Sequence, residues 1–261
     1  GSIISVIPDR TLDEGCRIEF ETLKRLPVEG SHSHRITIQS TTMDDGRPAV
    51  WVSGCPAKWF QGHNVHGSDD VPGLVREMLA RVCHLFGLEP SADDRADWES
   101  GNIRLTRVDV TYSWQVDTLP RARSFIRSLA TCAHLRHRGA GQFKGETLYF
   151  GKTSTRWSLK FYSKGLETQV RPLPLALQDS TLPDHVAGLV RVELCLRSKT
   201  LSAQSLDLIG GWSDNSASDT HTMMLSGLEI AEANMLDVAV LDGLPPRLLA
   251  VHQLWVDGHD L

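Results

Sequence analysis

Hydrophobic and polar positions along the chain fall into two rhythms. "CRIEFETL" (16–23) turns Ile18 and Phe20 to one side and polar residues to the other, as a strand with one buried face does. "RITIQSTTMDDGRPAVWVSG" repeats that alternation on both sides of Asp45-Gly46, which predicts a hairpin. "CPAKWFQGHNVHGSDD" has no period and reads as a loop. Beyond it Leu74, Val75, Met78, Leu79, Val82, Leu85 and Phe86 hold helical spacing. Asp69 or Asp70 caps that helix, Pro72 suits its first turn and Gly87 ends it. Residues 89–101 read as a polar connector.

The alternation returns in "IRLTRVDVTYSW" (103–114), and a helix with Pro near its start is expected over 119–135. Two strands, 145–151 and 156–164, flank a short turn; a short helix and a Pro-broken loop fill 165–187, and 188–197 is another strand. Strand, helix, strand, strand, helix, strand is the split βαβ order of ferredoxin-like domains. The predicted fold is therefore α+β: an antiparallel sheet of the ferredoxin-like type, akin to HUH and RNA-recognition folds, with helices on one face. Residues 1–200 form one domain, with β-α-β-like halves at 16–88 and 103–197, and 201–261 follow as a mostly helical C-terminal segment.

Side chains alternate along a strand, so parity assigns each residue to a face. Arg107, Asp109 and Thr111; Thr147 and Tyr149; Lys160, Tyr162 and Lys164; and Arg191, Glu193 and Arg197 all fall on the face away from the apolar residues. In the split βαβ order the first strand lies between the fourth and the third. That order sets Glu193 beside Asp109 and Asp109 beside Tyr162. Two neighbouring carboxylates are a minimum for holding Mg²⁺ or Mn²⁺ through oxygen. Lysines and arginines around them neutralise phosphate oxygens. A tyrosine needs nearby positive charge to act as a nucleophile near neutral pH. Parity alone leaves two readings open, a salt-bridged structural face or a phosphodiester site.

Composition narrows the partners. The 261 residues carry a net charge of −5, which excludes a general nucleic-acid coat protein. From His134 to Arg171, however, eight Lys/Arg stand against two Glu, interleaved with Tyr149, Trp157, Tyr162 and three Phe. A local basic and aromatic stretch on an acidic chain points to a defined polyanion site. The five cysteines are scattered without a C-x-x-C pair, so neither a zinc knuckle nor a disulfide framework is indicated. No apolar run reaches the roughly 18 residues of a membrane span.

Several stretches together resemble one family. "CPAKWFQGHNVHGSDD" resembles the SPAK-x-x-QGHN-x-x-G block of filamentous phage replication initiators of the gene II protein type. "TRVDVTYS" resembles their Arg-x-Asp strand, and "GLVRVELCLR" their GLVR-x-E strand. "RWSLKFYSKGLE" resembles the segment carrying their nicking tyrosine, with Lys two residues later and Glu five later. The resemblance implies a site- and strand-specific endonuclease that starts rolling-circle replication through a 5′-phosphotyrosine link. By position Tyr162 is the nucleophile, and Lys164 steadies the phenolate or leaving oxygen. Asp109 and Glu193 match acidic positions of the blocks and His63 the histidine of QGHN. Chemistry and sheet order group these three as ligands for Mg²⁺ or Mn²⁺. Lys58, Lys160, Arg107 and Arg191 are expected at phosphates, and Tyr149 is expected to stack on a base or to serve as a second tyrosine.

The implied partners are phage origin DNA, single-stranded or supercoiled, with host helicase and polymerase, in the host bacterial cytoplasm and without a membrane. "LPPRLLAVHQLWVDGHDL" resembles a family stretch within which the chain stops, so a trimmed C-terminal segment is expected. The His–hydrophobic–His strand of HUH nucleases is missing: "SHSHR" has serine between its histidines and "HLRH" has the wrong spacing. Two alternatives remain at this point. One is a non-catalytic single-strand binder with an RNA-recognition-like sheet. The other is a plasmid relaxase or initiator.

Overall fold

The computed structural model describes residues 3–8, 16–22, 25–42, 48–231 and 243–259. It divides into two compact units, Gly1–Gly67 and Ser68–Leu261.

In the smaller unit β1 (Ile3–Pro8) pairs antiparallel with β2 (Cys16–Thr22). The strands β3 (Leu26–Glu29), β4 (Arg35–Thr42) and β5 (Pro48–Ser53) form an antiparallel sheet in that order. The two strands of the expected hairpin are thus β4 and β5, and its Asp45-Gly46 turn lies outside the described residues. The stretch read as a loop contains α1 (Pro56–Gln61). Pro56 begins this helix, and Gly62, at φ +81°, ends it by donating its N–H to the Lys58 carbonyl. Six residues are too few to display a helical period, and only Trp59 among them is buried.

The larger unit begins with α2 (Val71–Phe86), whose first turn is capped by the Asp70 carboxylate accepting from Gly73 N–H at 2.8 Å. The expected connector contains α3 (Ala92–Ser100). A reciprocal box of Ser91 and Asp94 starts it, while its residues are too polar to show a period. Next come β6 (Arg107–Gln115), α4 (Leu119–Cys132), β7 (Ala133–Leu135), β8 (Gly139–Ala140), β9 (Gln142–Lys144), β10 (Thr147–Phe150) and β11 (Trp157–Ser163). Three short helices, α5 (Lys164–Val170), α6 (Leu175–Gln178) and α7 (Leu182–Ala187), lead to β12 (Leu189–Arg197). The helices α8 (Ser198–Ala203) and α9 (Ser216–Leu225), the strand β13 (Leu228–Ile230) and α10 (Pro246–Val256) complete the unit. Within the C-terminal segment expected to be mostly helical, residues 228–230 are instead a strand, and 232–242 lie outside the described residues.

The central sheet runs β6–β12–β11–β10–β9, every neighbour antiparallel. This is not the split βαβ order, because β12 lies between β6 and β11. The reason is visible in burial. Along β12 all but Glu193 and Arg197 are buried, as a central strand requires, whereas β6 exposes Arg107, Asp109, Ser113, Trp114 and Gln115, as an edge strand can. On one face α4 packs Ala122, Ile126 and Leu129 against Leu148, Phe150, Leu159, Phe161, Val192 and Leu194. Strand parity is therefore as expected, and the other face carries the polar residues. No helix among the described residues is long and apolar enough to cross a membrane.

Candidate active site

Register fixes who meets whom on the polar face. Across β11 and β12, Lys160 lies opposite Glu193 and Tyr162 opposite Arg191; across β11 and β10, Tyr162 lies opposite Thr147 and Lys160 opposite Tyr149. Lys160 Nζ pairs with Glu193 Oε1 at 2.6 Å and sits 5.0 Å from the centre of the Tyr162 ring. The Tyr162 hydroxyl donates to Glu193 Oε2 at 3.5 Å, with Arg191 facing it from β12. Burial pushes the Tyr162 phenol well above its usual pKa and Glu193 pushes it further, while Arg191 pulls it back.

Arg191, expected at a phosphate, is 1% exposed and donates from Nε to Ser113 Oγ at 3.2 Å. Asp109, expected beside Tyr162, is one strand further away, because β12 intervenes. It lies opposite Cys195 and takes both arms of Arg107, Nε to Oδ1 and Nη2 to Oδ2, each at 2.8 Å. Glu193 lies opposite Thr111, so Asp109 and Glu193 share the face as diagonal neighbours on adjacent strands. Cys195 is buried on the same face, its thiol pushed up to about 11 by burial and by Asp109.

Lys164 falls outside the strand. It is the first residue of α5, buried and paired with Glu167, and Ser163 caps the turn by accepting from Leu166 N–H at 3.3 Å. The helix start removes Lys164 from strand parity, and its i,i+3 spacing to Glu167 is the sequence signal for the pair. Tyr149 carries Lys152 over its ring, 4.5 Å from the centroid. Ser113 and Cys195 are the polar-face residues that sequence reasoning passed over; parity identifies their face but not their burial.

Lys58 and His63 belong to the smaller unit. Lys58 stands in α1. His63 follows Gly62, its Nδ1 accepting from Val65 N–H at 3.3 Å, and its ring meets that of His66 edge-on at 6.0 Å. That bond keeps the proton of a neutral imidazole on Nε2, so a metal at Nε2 requires that proton to be given up. Among the described residues no three His, Cys, Asp or Glu side chains gather as a metal-binding group. The Asp109 and Glu193 carboxylates nevertheless suit a hard divalent cation in donor type, each now held by a basic side chain.

A family model described as the N-terminal part of the replication-associated gene II protein matches residues 1–215. The chain is 31% identical to the replication-associated gene II protein of Enterobacteria phage I2-2 over 264 aligned residues, covering 99% of this chain and 75% of that protein. It is 26% identical over 185 residues to the proteins of the same description in Enterobacteria phages M13 and f1, covering 62% of this chain and 42% of each relative. The match thus spans less than half the length of those two relatives. No solved structure matches the chain. Match and identity over nearly its whole length place this chain in the replication-associated gene II protein family of filamentous phages.

Proposed function

We propose that this chain is the DNA-nicking part of a replication initiator, a site- and strand-specific endonuclease that opens the phage origin and starts rolling-circle replication. The observation that carries this reading is the setting of Tyr162: a hydroxyl on the polar sheet face, hydrogen-bonded to a carboxylate and directly opposite an arginine, in the segment that resembles the family's nicking block. The phenol oxygen attacks the scissile phosphorus; a tyrosine–phosphate ester forms and the bond from phosphorus to the 3′ oxygen breaks. The phenol proton passes to water, and the departing 3′ oxygen takes a proton. The freed 3′-OH primes the host polymerase while a host helicase unwinds the duplex, all in the bacterial cytoplasm. In reverse, a 3′-OH attacks the phosphotyrosine and closes the displaced strand into a circle.

Lys160 and Arg107 balance phosphate charge, and Tyr149 offers its ring to a base. Asp109 and Glu193 are the carboxylates that would hold Mg²⁺ or Mn²⁺, and the ion would draw electron density from the phosphate. Incubation with Mn²⁺ and a supercoiled plasmid carrying the phage origin tests the reading. Relaxed circles and a covalent protein–DNA adduct are expected, both abolished by chelation and by Tyr162→Phe. An adduct that survives Tyr162→Phe would refute the assignment. Single-strand binding with no adduct under either metal would favour the non-catalytic binder.

A further inference from the structure

We infer that Arg156 and Arg197 form a phosphate grip at the far end of the polar face, holding the DNA strand about 20 Å along β11 from Tyr162, at about 3.3 Å per residue. The inference takes its ligand, a DNA strand, from the nicking reading of this face. Register sets three arginines in one row across adjacent strands. Arg197 on β12 lies directly opposite Arg107 on β6. On its other side the Arg197 backbone N–H donates to the Arg156 carbonyl at 2.9 Å, which carries the ladder one residue beyond β11. Parity puts all three on the face that bears Lys160, Tyr162 and Glu193. Like charges directly opposite one another destabilise a sheet unless anions meet them. Arg107 is met by Asp109 at 2.8 Å, and Lys160, further along the face, by Glu193 at 2.6 Å. Among the described residues neither Arg156 nor Arg197 has a carboxylate within ion-pairing distance.

The β10–β11 turn holds both cations in place. The Ser154 carbonyl accepts from Arg197 Nε at 3.0 Å, and the Ser154 hydroxyl accepts from the Arg156 backbone N–H at 3.2 Å. The first bond fixes the plane of the Arg197 fork and leaves its Nη groups without an acceptor among the described residues. Arg156 is exposed and Arg197 half-buried, so both meet solvent. A guanidinium stays charged at every working pH, and its planar fork matches a pair of phosphate oxygens. The uncompensated positive charge of the face therefore lies at this end, on the same surface as Tyr162, where a polyanion replaces the missing carboxylates. Contacts of this kind position a strand without reading its sequence.

The test measures binding of the full chain to a fluorescein-labelled oligothymidylate of about 20 nucleotides by anisotropy, across a salt series and without divalent cation. Arg156→Gln is expected to bind about tenfold more weakly at low salt. It should also lower the slope of log affinity against log salt by about 0.7, the value of one phosphate on a single strand. Arg197→Gln should do the same, and the double variant should lose about 1.4 from the slope. Arg156→Lys keeps the charge and should keep the slope. Because each Gln variant relieves a row of like charges, its urea midpoint should stay level or rise. Unchanged affinity and slope in Arg156→Gln and the double variant overturn the inference and leave the row as solvated surface. A midpoint that falls while the slope holds overturns it too, as the mark of a structural row. Should Arg197→Gln fail to fold, the exposed Arg156 decides through its Gln and Lys variants. Adduct formation on the origin plasmid is scored separately in the unmodified chain. With no adduct but the slope lost in the variants, the grip stands and the nickase reading falls; with an adduct but the slope retained, the reverse holds.

Discussion

Tyr162 stands where its phenolate is disfavoured, since burial and Glu193 outweigh Arg191. Its folded-state ionisation lies above the unfolded one, so the stability it adds is full below about pH 10 and is lost as the pH rises further. On the proposed reading this is a nucleophile held protonated at rest, and a bound divalent cation would supply the positive charge that favours its ionisation. Cys195 on the same face is held protonated in the same way, by burial first and Asp109 second, with its thiol pushed up to about 11. At about pH 8 roughly one such thiol in a thousand is ionised. Maleimide labelling of the folded chain followed by peptide mapping should therefore modify the exposed Cys55 and spare Cys195. Equal labelling of the two would contradict the buried placement.

At the scale of elements, two aspartates at the head of α2 are equivalent in sequence and differ in the structure. Asp70 caps the helix through Gly73 N–H, while Asp69 Oδ2 accepts from the Tyr112 hydroxyl at 2.6 Å. The Tyr112 phenol is pushed up to about 12, by burial and then by Asp69. Asp70→Ala is expected to cost about 1 kcal/mol, read as a lower urea midpoint with an unchanged slope. No loss of midpoint would mean the cap contributes nothing. The long helix and the strands are legible because a repeated period averages over many side chains. The helix α1 has six residues and β13 three, too few for any period to emerge, and α3 is held by its capping box instead of an apolar stripe.

At the scale of the larger unit, the helix α4, the β9–β10 turn and the C-terminal helix meet at Arg127. It donates to Glu146 at 2.6 Å, to the Trp255 carbonyl at 2.7 Å and to the His259 carbonyl at 3.1 Å. Glu146 sits at φ +58°, a left-handed conformation that a type I′ hairpin turn demands and a side chain resists. Burial by itself would raise the Glu146 carboxyl, but hydrogen bonds from Arg127 and Arg123 outweigh it and hold the group below its usual range. Its contribution to stability is therefore present above about pH 4.3 and is lost as the pH falls through the lower folded value. Glu146→Gln should be less stable than wild type near neutrality, with the gap closing in acid; a gap that persists in acid would rule out the ion pair as its source. Arg127→Ala should cost about 3 kcal/mol and expose 246–256 to proteolysis, measurable by urea unfolding and limited digestion.

The amino-acid order by itself determined which residues share a face within each strand, because alternation along a strand is a local geometric fact that packing cannot change; Lys164 falls out only because α5 begins there. It also determined the family blocks and the ends of α2, where caps and Gly87 act within a few residues. Only the tertiary structure decided that β12, and not β6, lies next to β11 in the sheet. Neighbour order is a competition among all strands for burial, and β12 wins because both its faces tolerate being covered. That choice separated Asp109 from Tyr162 and put Arg191 in Asp109's expected place. It also turned a residue that reads as a surface cation into a buried one.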